Sequence, residues 1–141
     1  RNGIDFTTQH VARFNNVRDL EIYRIAIDLW VNKGKRLSYA NLPDKLKTHK
    51  NETAFLNRFQ VVDPKGVSHT VVAHISADGH YYIYPDLKQV RSISVREAAR
   101  IQSFPDDFFF EGGRTAAFKQ IGNAVPPLMA EGIANKIKEM I

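Results

Sequence analysis

Apolar side chains recur at steps of three and four residues along the row NVRDLEIYRIAIDLWVNKG. The residues that share one helical face at this spacing are Leu20, Tyr23, Ile27 and Trp30. This spacing is typical of an amphipathic helix, so the row predicts a helix whose apolar face belongs to the core. Asn16 and Asp19 are start signals for the helix, and Gly34 is a stop signal.

Two further helices are predicted from their start signals. In the row LPDKLKTH, Asn41 is a candidate cap and Pro43 suits a first turn. The row SISVREAARIQSF begins with a capping box, in which Ser94 accepts from the backbone of Glu97 and Glu97 reaches back to Ser94. The Phe-Pro pair that follows ends this helix.

The middle of the chain has a different period. The runs RFQVVD, SHTVVAHIS and HYYIYPD are short, rich in Val, Ile and Tyr, and separated by PKG and ADG. They predict strands joined by tight turns. Asp78-Gly79 is the firmer hairpin signal, because glycine accepts the positive φ that primed turns require. We therefore expect a small antiparallel sheet.

In the C-terminal part of the chain, the positions of glycine and proline decide which secondary structure is predicted. Residues 106–123 predict a loop with one short turn, because Gly112-Gly113 and Gly122 interrupt a helical pattern. The stretch QIGNAVPP then leads into a last helix. Its two prolines have no amide protons, which suits a helix start because the first amides of a helix have no partner within the helix. The apolar face of this helix comprises Leu128, Met129, Ile133, Ile137 and Ile141.

Composition narrows the function classes. With 141 residues and 43% hydrophobic content, the chain has the size of one domain and enough apolar residues for a core. Its formal net charge of +5 favours a polyanion partner only weakly. The absence of cysteine excludes disulfides, thiolate zinc sites and a cysteine nucleophile on this chain. His74 and His80 have no second ligand at metal spacing, so no metal site is predicted.

Targeting signals are not evident in the sequence. No apolar run approaches the roughly 20 residues that span a bilayer, and no charged-then-apolar leader opens the chain. We therefore expect a cytoplasmic protein without membrane contact. The chain begins RNGIDF without an initiator Met, which favours a piece of a longer protein.

Two rows resemble motifs of a known enzyme family. RSISVREAARIQSFPDDF and RTAAFKQIGNAVPPLMAEGIA resemble motifs IX and X of the bacterial DNA cytosine-5 methyltransferases, and HTVVAHISADGHYYIYPD resembles the end of their target-recognition region in one branch. Together they lie within Ser68 to Ala134, about half of the chain. The rows HVARFNNVRDLEIYR and FLNRFQVVD resemble the variable recognition region less closely.

The resemblance implies a domain division and partners. Residues 1–86 would be target-recognition region, and residues 87–141 would return to the catalytic domain through motifs IX and X. The expected fold is α+β: a small antiparallel sheet with flanking helices, followed by C-terminal helices that pack on a Rossmann-like methyltransferase domain in the whole enzyme. The implied partners are double-stranded DNA and the N-terminal catalytic domain or a complementary subunit.

The reaction of the family shows which functional motifs are missing from this chain and which are present. Such enzymes use S-adenosylmethionine, flip a cytosine out of the duplex, add a cysteine thiolate to its carbon 6 and methylate carbon 5. The Pro-Cys, glycine-rich cofactor and glutamate motifs are missing here, so we expect no catalytic residue on this chain and no activity alone. Motif X completes the cofactor pocket in the family, and the residues implied to contact the cofactor are Gly122, Asn123, Ala124 and Val125.

The candidate DNA contacts each have a structural alternative. By resemblance Thr70, followed by Val71, lies against the DNA backbone, although threonine is also simply a good strand former. Arg91 and Arg96 match motif IX, where arginines serve more as anchors than as base readers. Basic side chains that can neutralise phosphates, or merely form a solvated face, are Lys33, Lys35, Arg36, Lys47 and Lys50.

Our leading hypothesis is a C-terminal fragment or small subunit of a DNA cytosine-5 methyltransferase. The alternatives are a non-catalytic DNA-binding module derived from such an enzyme, and a scaffold domain without DNA affinity. A fragment separated from its catalytic domain leaves the apolar face of the last helix without its partner, so we expect that face to pair within the chain or with another copy.

Overall fold

The computed structural model describes residues 5–48 and 54–141 of the chain. Four α-helices lie in these ranges: α1 (Val17–Lys33), α2 (Val95–Ile101), α3 (Arg114–Asn123) and α4 (Pro127–Lys138). Three short 3-10 helices cover Tyr39–Asn41, Asp44–Leu46 and Ala73–Ser76. Among these helices, none is long and apolar enough to cross a membrane.

Helix α1 confirms its prediction at both ends. The Asn16 side chain accepts a hydrogen bond from the Asp19 N–H at 2.9 Å, and Gly34 ends the helix with a φ of 61°. Tyr23 and Ile27 of the predicted apolar face are buried. The local signals for this helix were therefore sufficient.

The predicted α+β fold with an antiparallel sheet is wrong for the described part of the chain. Where strands were expected, the only pairings are two isolated bridges, one parallel from Val61 to Ile83 and one antiparallel from Ile83 to Ser92. No ladder extends from them. The Val-rich row SHTVVAHIS instead ends in the 3-10 helix Ala73–Ser76, in which Ile75 is buried, so the tertiary context overrides strand propensity here.

The predicted hairpin glycine serves a different purpose. Gly34 and Gly112 are the glycines with positive φ in the described ranges, and Gly79 is not among them. A β-carbon on Gly79 would lie 2.3 Å from the Ser92 β-carbon. Glycine is therefore required at this position for space and not for a primed turn.

The predicted second helix is also wrong in the residues described. Its row contains only the 3-10 turn Asp44–Leu46, and His49 lies outside the described residues. The ring of Pro43 disfavours helical backbone in the preceding residue, and Leu42 is accordingly extended, with a ψ of 146°. Leu42 and Leu46 still contribute to the core, each with 3% exposure.

The C-terminal helices depart from prediction at one point. The capping box of α2 is confirmed: the Ser94 N–H donates to Glu97 Oε2 at 2.7 Å, and the Glu97 N–H donates to Ser94 Oγ at 3.2 Å. Helix α3, however, occupies residues predicted as a loop. Gly113 is its N-cap and Gly122 lies in its last turn, so neither glycine interrupts it. Helix α4 is confirmed as a helix, with Pro127 at its start.

Contacts divide the chain into two compact units. The α1 unit comprises the described parts of Ala12–His69 and Asp78–Ile93, and the α2–α4 unit comprises those of Arg1–Val11, Thr70–Ala77 and Ser94–Ile141. The core of the α1 unit includes Ile22, Tyr23, Ile27, Tyr39, Phe59 and Ile83. Buried residues of the α2–α4 unit include Val71, Ile75, Ala98, Ala99, Phe110, Phe118 and Ile121.

Candidate functional site

Gly122, the first of the predicted cofactor residues, lies against the chain's own backbone. A β-carbon at this position would lie 2.4 Å from the Val72 carbonyl carbon and 2.4 Å from the Ala73 nitrogen. The backbone of Gly122 has no positive φ to explain the glycine. Close packing of α3 on the segment that begins the Ala73–Ser76 3-10 helix is therefore the physical reason for glycine here.

The three residues that follow Gly122 form the exposed connection between α3 and α4. Asn123 ends α3 and is exposed, Ala124 is half-buried with extended backbone, and the Val125 side chain is exposed. Among the described residues, the Asn123 side chain has no hydrogen-bond partner. The connection thus presents an amide, with donor and acceptor atoms, beside an apolar side chain.

The two residues after α2 hold both ends of this connection. Gln102 is buried, and its Nε2 donates to the Ile121 carbonyl at 3.2 Å and to the Val71 carbonyl at 3.4 Å. Ser103 Oγ accepts from the Leu128 N–H at 3.1 Å, in the first turn of α4. Sequence reasoning missed both residues, although their polar side chains between Ile101 and the Phe-Pro pair were an available signal.

Arg96 is placed in the interior of the α2–α4 unit. It has 0% exposure. Its guanidinium donates to the carbonyls of Thr8, Pro105 and Phe108 and to the Thr8 hydroxyl, at 2.7 to 3.1 Å. Burial lowers the pKa of Arg96, and the charge of Asp106 partly opposes this. These contacts make Arg96 an anchor that joins the N-terminal segment to the loop after α2.

Arg91 belongs to the α1 unit and is only half-buried. Its guanidinium carbon lies 4.0 Å from the centroid of the Tyr84 ring, a cation–π contact. It also donates to the Ser92 carbonyl at 3.1 Å. The guanidinium is therefore oriented by its neighbours while part of the side chain remains accessible.

Thr70 and Val71 have different environments within the α2–α4 unit. Thr70 is exposed, whereas Val71 has 3% exposure and accepts the long hydrogen bond from Gln102. Neither residue lies in a strand. The pair thus presents one polar side chain to solvent from a segment that is held by the core.

The predicted phosphate contacts follow the end of α1. Lys33, Lys35 and Arg36 are exposed, and Arg36 donates to Gln60 Oε1 at 2.8 Å and lies 5.0 Å from the Trp30 ring centroid. Lys47 forms an ion pair with Asp44 at 3.1 Å. Lys50 lies outside the described residues.

His80, one of the two histidines considered as metal ligands, contacts a tyrosine. His80 Nδ1 lies 2.9 Å from the Tyr23 hydroxyl, and the two rings are 5.8 Å apart. Burial lowers the pKa of His80, with Asp78 and Asp19 opposing the effect. No group of three potential metal ligands occurs in the part of the chain that the structure describes.

Comparison with known families decides the identity. The family described as "C-5 cytosine-specific DNA methylase" matches residues 3–139. The chain belongs to this family.

Individual relatives agree with the family match. The chain is 58% identical to "Type II methyltransferase M.Bpa9945I" of Bacillus paralicheniformis over 134 residues, which are 95% of this chain and 30% of that protein. It is 42% identical to "Type II methyltransferase M.AgeI" of Thalassovita gelatinovora over 99 residues, 70% of this chain and 23% of that protein. It is 39% identical to "DNA (cytosine-5-)-methyltransferase M.ApeKI" of Aeropyrum pernix over 83 residues, 59% of this chain and 17% of that protein.

The chain therefore spans only 30% or less of the length of these three relatives. No solved structure matches it.

The predicted site residues are divided between the two units. The cofactor residues Gly122, Asn123, Ala124 and Val125 belong to the α2–α4 unit, as do Thr70 and Arg96. Arg91, Lys33, Lys35 and Arg36 belong to the α1 unit. Only the first set includes residues of both the predicted cofactor site and the predicted DNA site.

Proposed function

We propose that this chain is the C-terminal part of a DNA cytosine-5 methyltransferase, joined to the rest of the enzyme in one polypeptide or as a small subunit. The complete enzyme would transfer a methyl group from S-adenosylmethionine to carbon 5 of cytosine in duplex DNA. Membership of the methylase family and coverage of only 30% of a 58% identical relative support this proposal.

The structural observation that carries the proposal is the uncovered apolar face of α4. No residue of this helix is buried in the described chain. The exposed fractions of Leu128, Met129, Ile133 and Ile137 are 67%, 59%, 48% and 52%. The described residues therefore do not cover this face within the chain, and its pairing with another copy, the other outcome expected from the sequence, stays a prediction.

A helix with such a face needs an apolar partner. We infer that the catalytic domain, or a complementary subunit, supplies it. Packing there would bring the adjacent Asn123–Val125 connection to the catalytic part, because only two prolines separate Val125 from Leu128.

The connection between α3 and α4 has the chemistry expected of one wall of a cofactor pocket. The Asn123 amide can donate and accept hydrogen bonds toward polar groups of S-adenosylmethionine, and Val125 offers an apolar surface. The cofactor supplies the methyl group when bound. Ala124 and Gly122 would position these two side chains, with Gly122 held against the Val72–Ala73 backbone.

DNA would contact exposed residues of both units. Lys33, Lys35 and Arg36 can neutralise phosphates, and Thr70 can donate a hydrogen bond to the DNA backbone. Arg91 would contribute through its accessible part, whereas Arg96 acts as an internal anchor. The functional division into a recognition region, residues 1–86, and a motif IX and X segment, residues 87–141, belongs to this proposal.

The nucleophile must come from elsewhere in the enzyme. The chain contains no cysteine, so it has no thiolate to add to carbon 6 of cytosine. We therefore expect the chain alone to be inactive.

Mixing experiments test the proposal. This chain is combined with a catalytic chain that holds the cofactor and Pro-Cys motifs, and methyl transfer to duplex DNA is measured for each chain alone and for the mixture. Methyl transfer that occurs in the mixture, and with neither chain by itself, supports the proposal. An isolated chain that binds a defined duplex tightly, but never restores transfer, would favour a non-catalytic DNA-binding module instead.

A further inference from the structure

The two adjacent residues that directly follow α2 hold the predicted cofactor connection at both of its ends. Gln102 has 7% exposure and donates through one nitrogen to the Ile121 carbonyl at 3.2 Å. Ile121 directly precedes the Gly122–Val125 segment. The α3 end of the segment is therefore fixed from α2 by a buried hydrogen bond.

Ser103 fixes the other end of the segment. Pro126 precedes α4 and has no side-chain acceptor for the helix N-terminus, and Pro127 has no N–H. The first available amide is that of Leu128, and Ser103 Oγ accepts from it at 3.1 Å. A serine distant in sequence thus does what an N-cap side chain normally does.

The backbone of Ser103 adopts an unusual conformation to reach this position. Its φ is 60°, in the left-handed region that favours glycine. Its N–H donates to the Arg100 carbonyl at 3.0 Å, and the Phe104 N–H donates to the Ala99 carbonyl at 2.9 Å. This hydrogen-bond pattern ends a helix at a position where glycine is the usual residue, and here a serine with a hydroxyl occupies it.

Three contacts therefore determine the position of the connection between α3 and α4. Gln102 holds Ile121, the Val72–Ala73 backbone lies against Gly122, and Ser103 holds Leu128. Asn123 and Val125 remain exposed between these points. Loss of either side-chain contact would let the connection move while its own sequence stays intact.

We propose that Gln102 and Ser103 are positioning residues for S-adenosylmethionine, acting through Ile121 and Leu128 on Asn123 and Val125. This inference rests on the proposed function. It assigns to the end of motif IX an indirect effect on cofactor affinity, through the position of the connection.

Two substitutions of Ser103 separate its hydroxyl from its backbone conformation. Ser103→Gly accepts the positive φ but removes the acceptor, whereas Ser103→Asn accepts the positive φ and keeps a side-chain oxygen. In the complete methyltransferase, we expect Ser103→Gly to raise the dissociation constant for S-adenosylmethionine by about fivefold, the size expected for loss of one cap hydrogen bond. Ser103→Asn should restore most of the affinity.

A second readout requires no cofactor. Amide hydrogen exchange of Leu128 in the complete enzyme should be faster in Ser103→Gly than in wild type, and Ser103→Asn should reverse this. Gln102→Met removes the amide donor at similar volume and should also weaken cofactor binding, while DNA affinity measured without cofactor changes little.

Asn16→Ala is the matched control. It removes the Asn16 cap of α1, whose side chain accepts from the Asp19 N–H at 2.9 Å. It should lower the melting temperature without changing cofactor affinity, because the α1 unit contains none of the cofactor residues.

The outcomes are distinguishable. Suppose that wild-type enzyme binds S-adenosylmethionine, and that Ser103→Gly and Gln102→Met bind it equally well and, like the Asn16→Ala control, show only a lowered melting temperature. The positioning role is then refuted, and the proposed function stands. If wild-type enzyme binds no S-adenosylmethionine, the proposed function fails and this inference fails with it.

Discussion

Gly122 and Ala73 are in backbone contact: a β-carbon on Gly122 would lie 2.4 Å from the Ala73 nitrogen and 2.6 Å from its α-carbon. Neither of these atoms belongs to a flexible side chain that can move aside. The contact joins α3 to the segment that also carries Thr70, and it fixes the start of the exposed connection.

Gly122→Ala should therefore destabilise this chain by about 2 kcal/mol or more, the size typical of overpacking in a close contact. Urea unfolding followed by circular dichroism measures the change. Gly132→Ala is the matched control, because a β-carbon on Gly132 in α4 meets nothing within 4 Å. Alanine there should stabilise the helix by roughly 0.5 to 1 kcal/mol. Similar effects of the two substitutions would contradict the contact.

Arg96→Lys should destabilise the chain by about 3 kcal/mol, because lysine cannot reproduce the planar set of donors and leaves buried carbonyls without partners. Arg100→Lys is the comparison. Arg100 makes a two-pronged pair with Asp106 at 2.8 and 2.9 Å, but its side chain is 43% exposed. Because solvent screens this pair, the pair contributes less than the buried contacts of Arg96. Equal losses in thermal unfolding would refute the anchoring role of Arg96.

His80 should make stability depend on pH. Burial lowers its pKa below the ordinary value of 6.5, so the unfolded state binds the proton more readily than the folded state. Stability is therefore lost as the pH falls below 6.5 and continues to fall until the lowered folded pKa is reached. Unfolding free energies between about pH 5 and pH 8 test this. His80→Gln should flatten that part of the profile, and an unchanged slope in the variant would contradict the assignment to His80.

Asn123→Ala should weaken binding of S-adenosylmethionine by the complete enzyme by about fivefold, the value of one or two hydrogen bonds. DNA affinity should remain nearly unchanged, since the candidate phosphate contacts lie elsewhere. Calorimetry for the cofactor and fluorescence anisotropy for DNA give the two constants. The reverse pattern, with DNA binding lost and cofactor binding kept, would rule out the cofactor role of the connection.

Lys33→Gln with Lys35→Gln should reduce the salt dependence of DNA binding. Each lost phosphate contact lowers the slope of log affinity against log salt by about 0.9. Lys136→Gln removes one exposed charge on α4, where Lys136 pairs with Glu139 at 2.7 Å, and should leave the slope unchanged. Identical slopes for the wild type and the double variant would exclude the two lysines as phosphate contacts.

Local signals in the sequence predicted local structure well. The Asn16 cap, the Gly34 stop and the Ser94–Glu97 capping box depend on neighbours within a few residues, and the structure has all three. The apolar face of α4 and the proline at its start were predicted in the same way.

Non-local packing was beyond these signals. Gly122 was predicted to break a helix, yet it lies inside α3. Glycine is needed there because a β-carbon would collide with the backbone at Ala73. The Val-rich rows suggested a sheet, but strands require partners along their length, and around Ile83 the pairing is limited to isolated bridges. The roles of Gln102 and Ser103 likewise depend on carbonyl and amide groups more than 15 residues away.

One replacement experiment tests the central claim most directly. The 134-residue region of the Bacillus paralicheniformis methyltransferase that matches this chain at 58% identity is exchanged for the chain, and methyl transfer to duplex DNA is measured. We predict that the chimera forms 5-methylcytosine, whereas the same enzyme with the region deleted forms none. A chimera that folds and binds DNA but transfers no methyl group would contradict the claim that this chain completes a cytosine-5 methyltransferase.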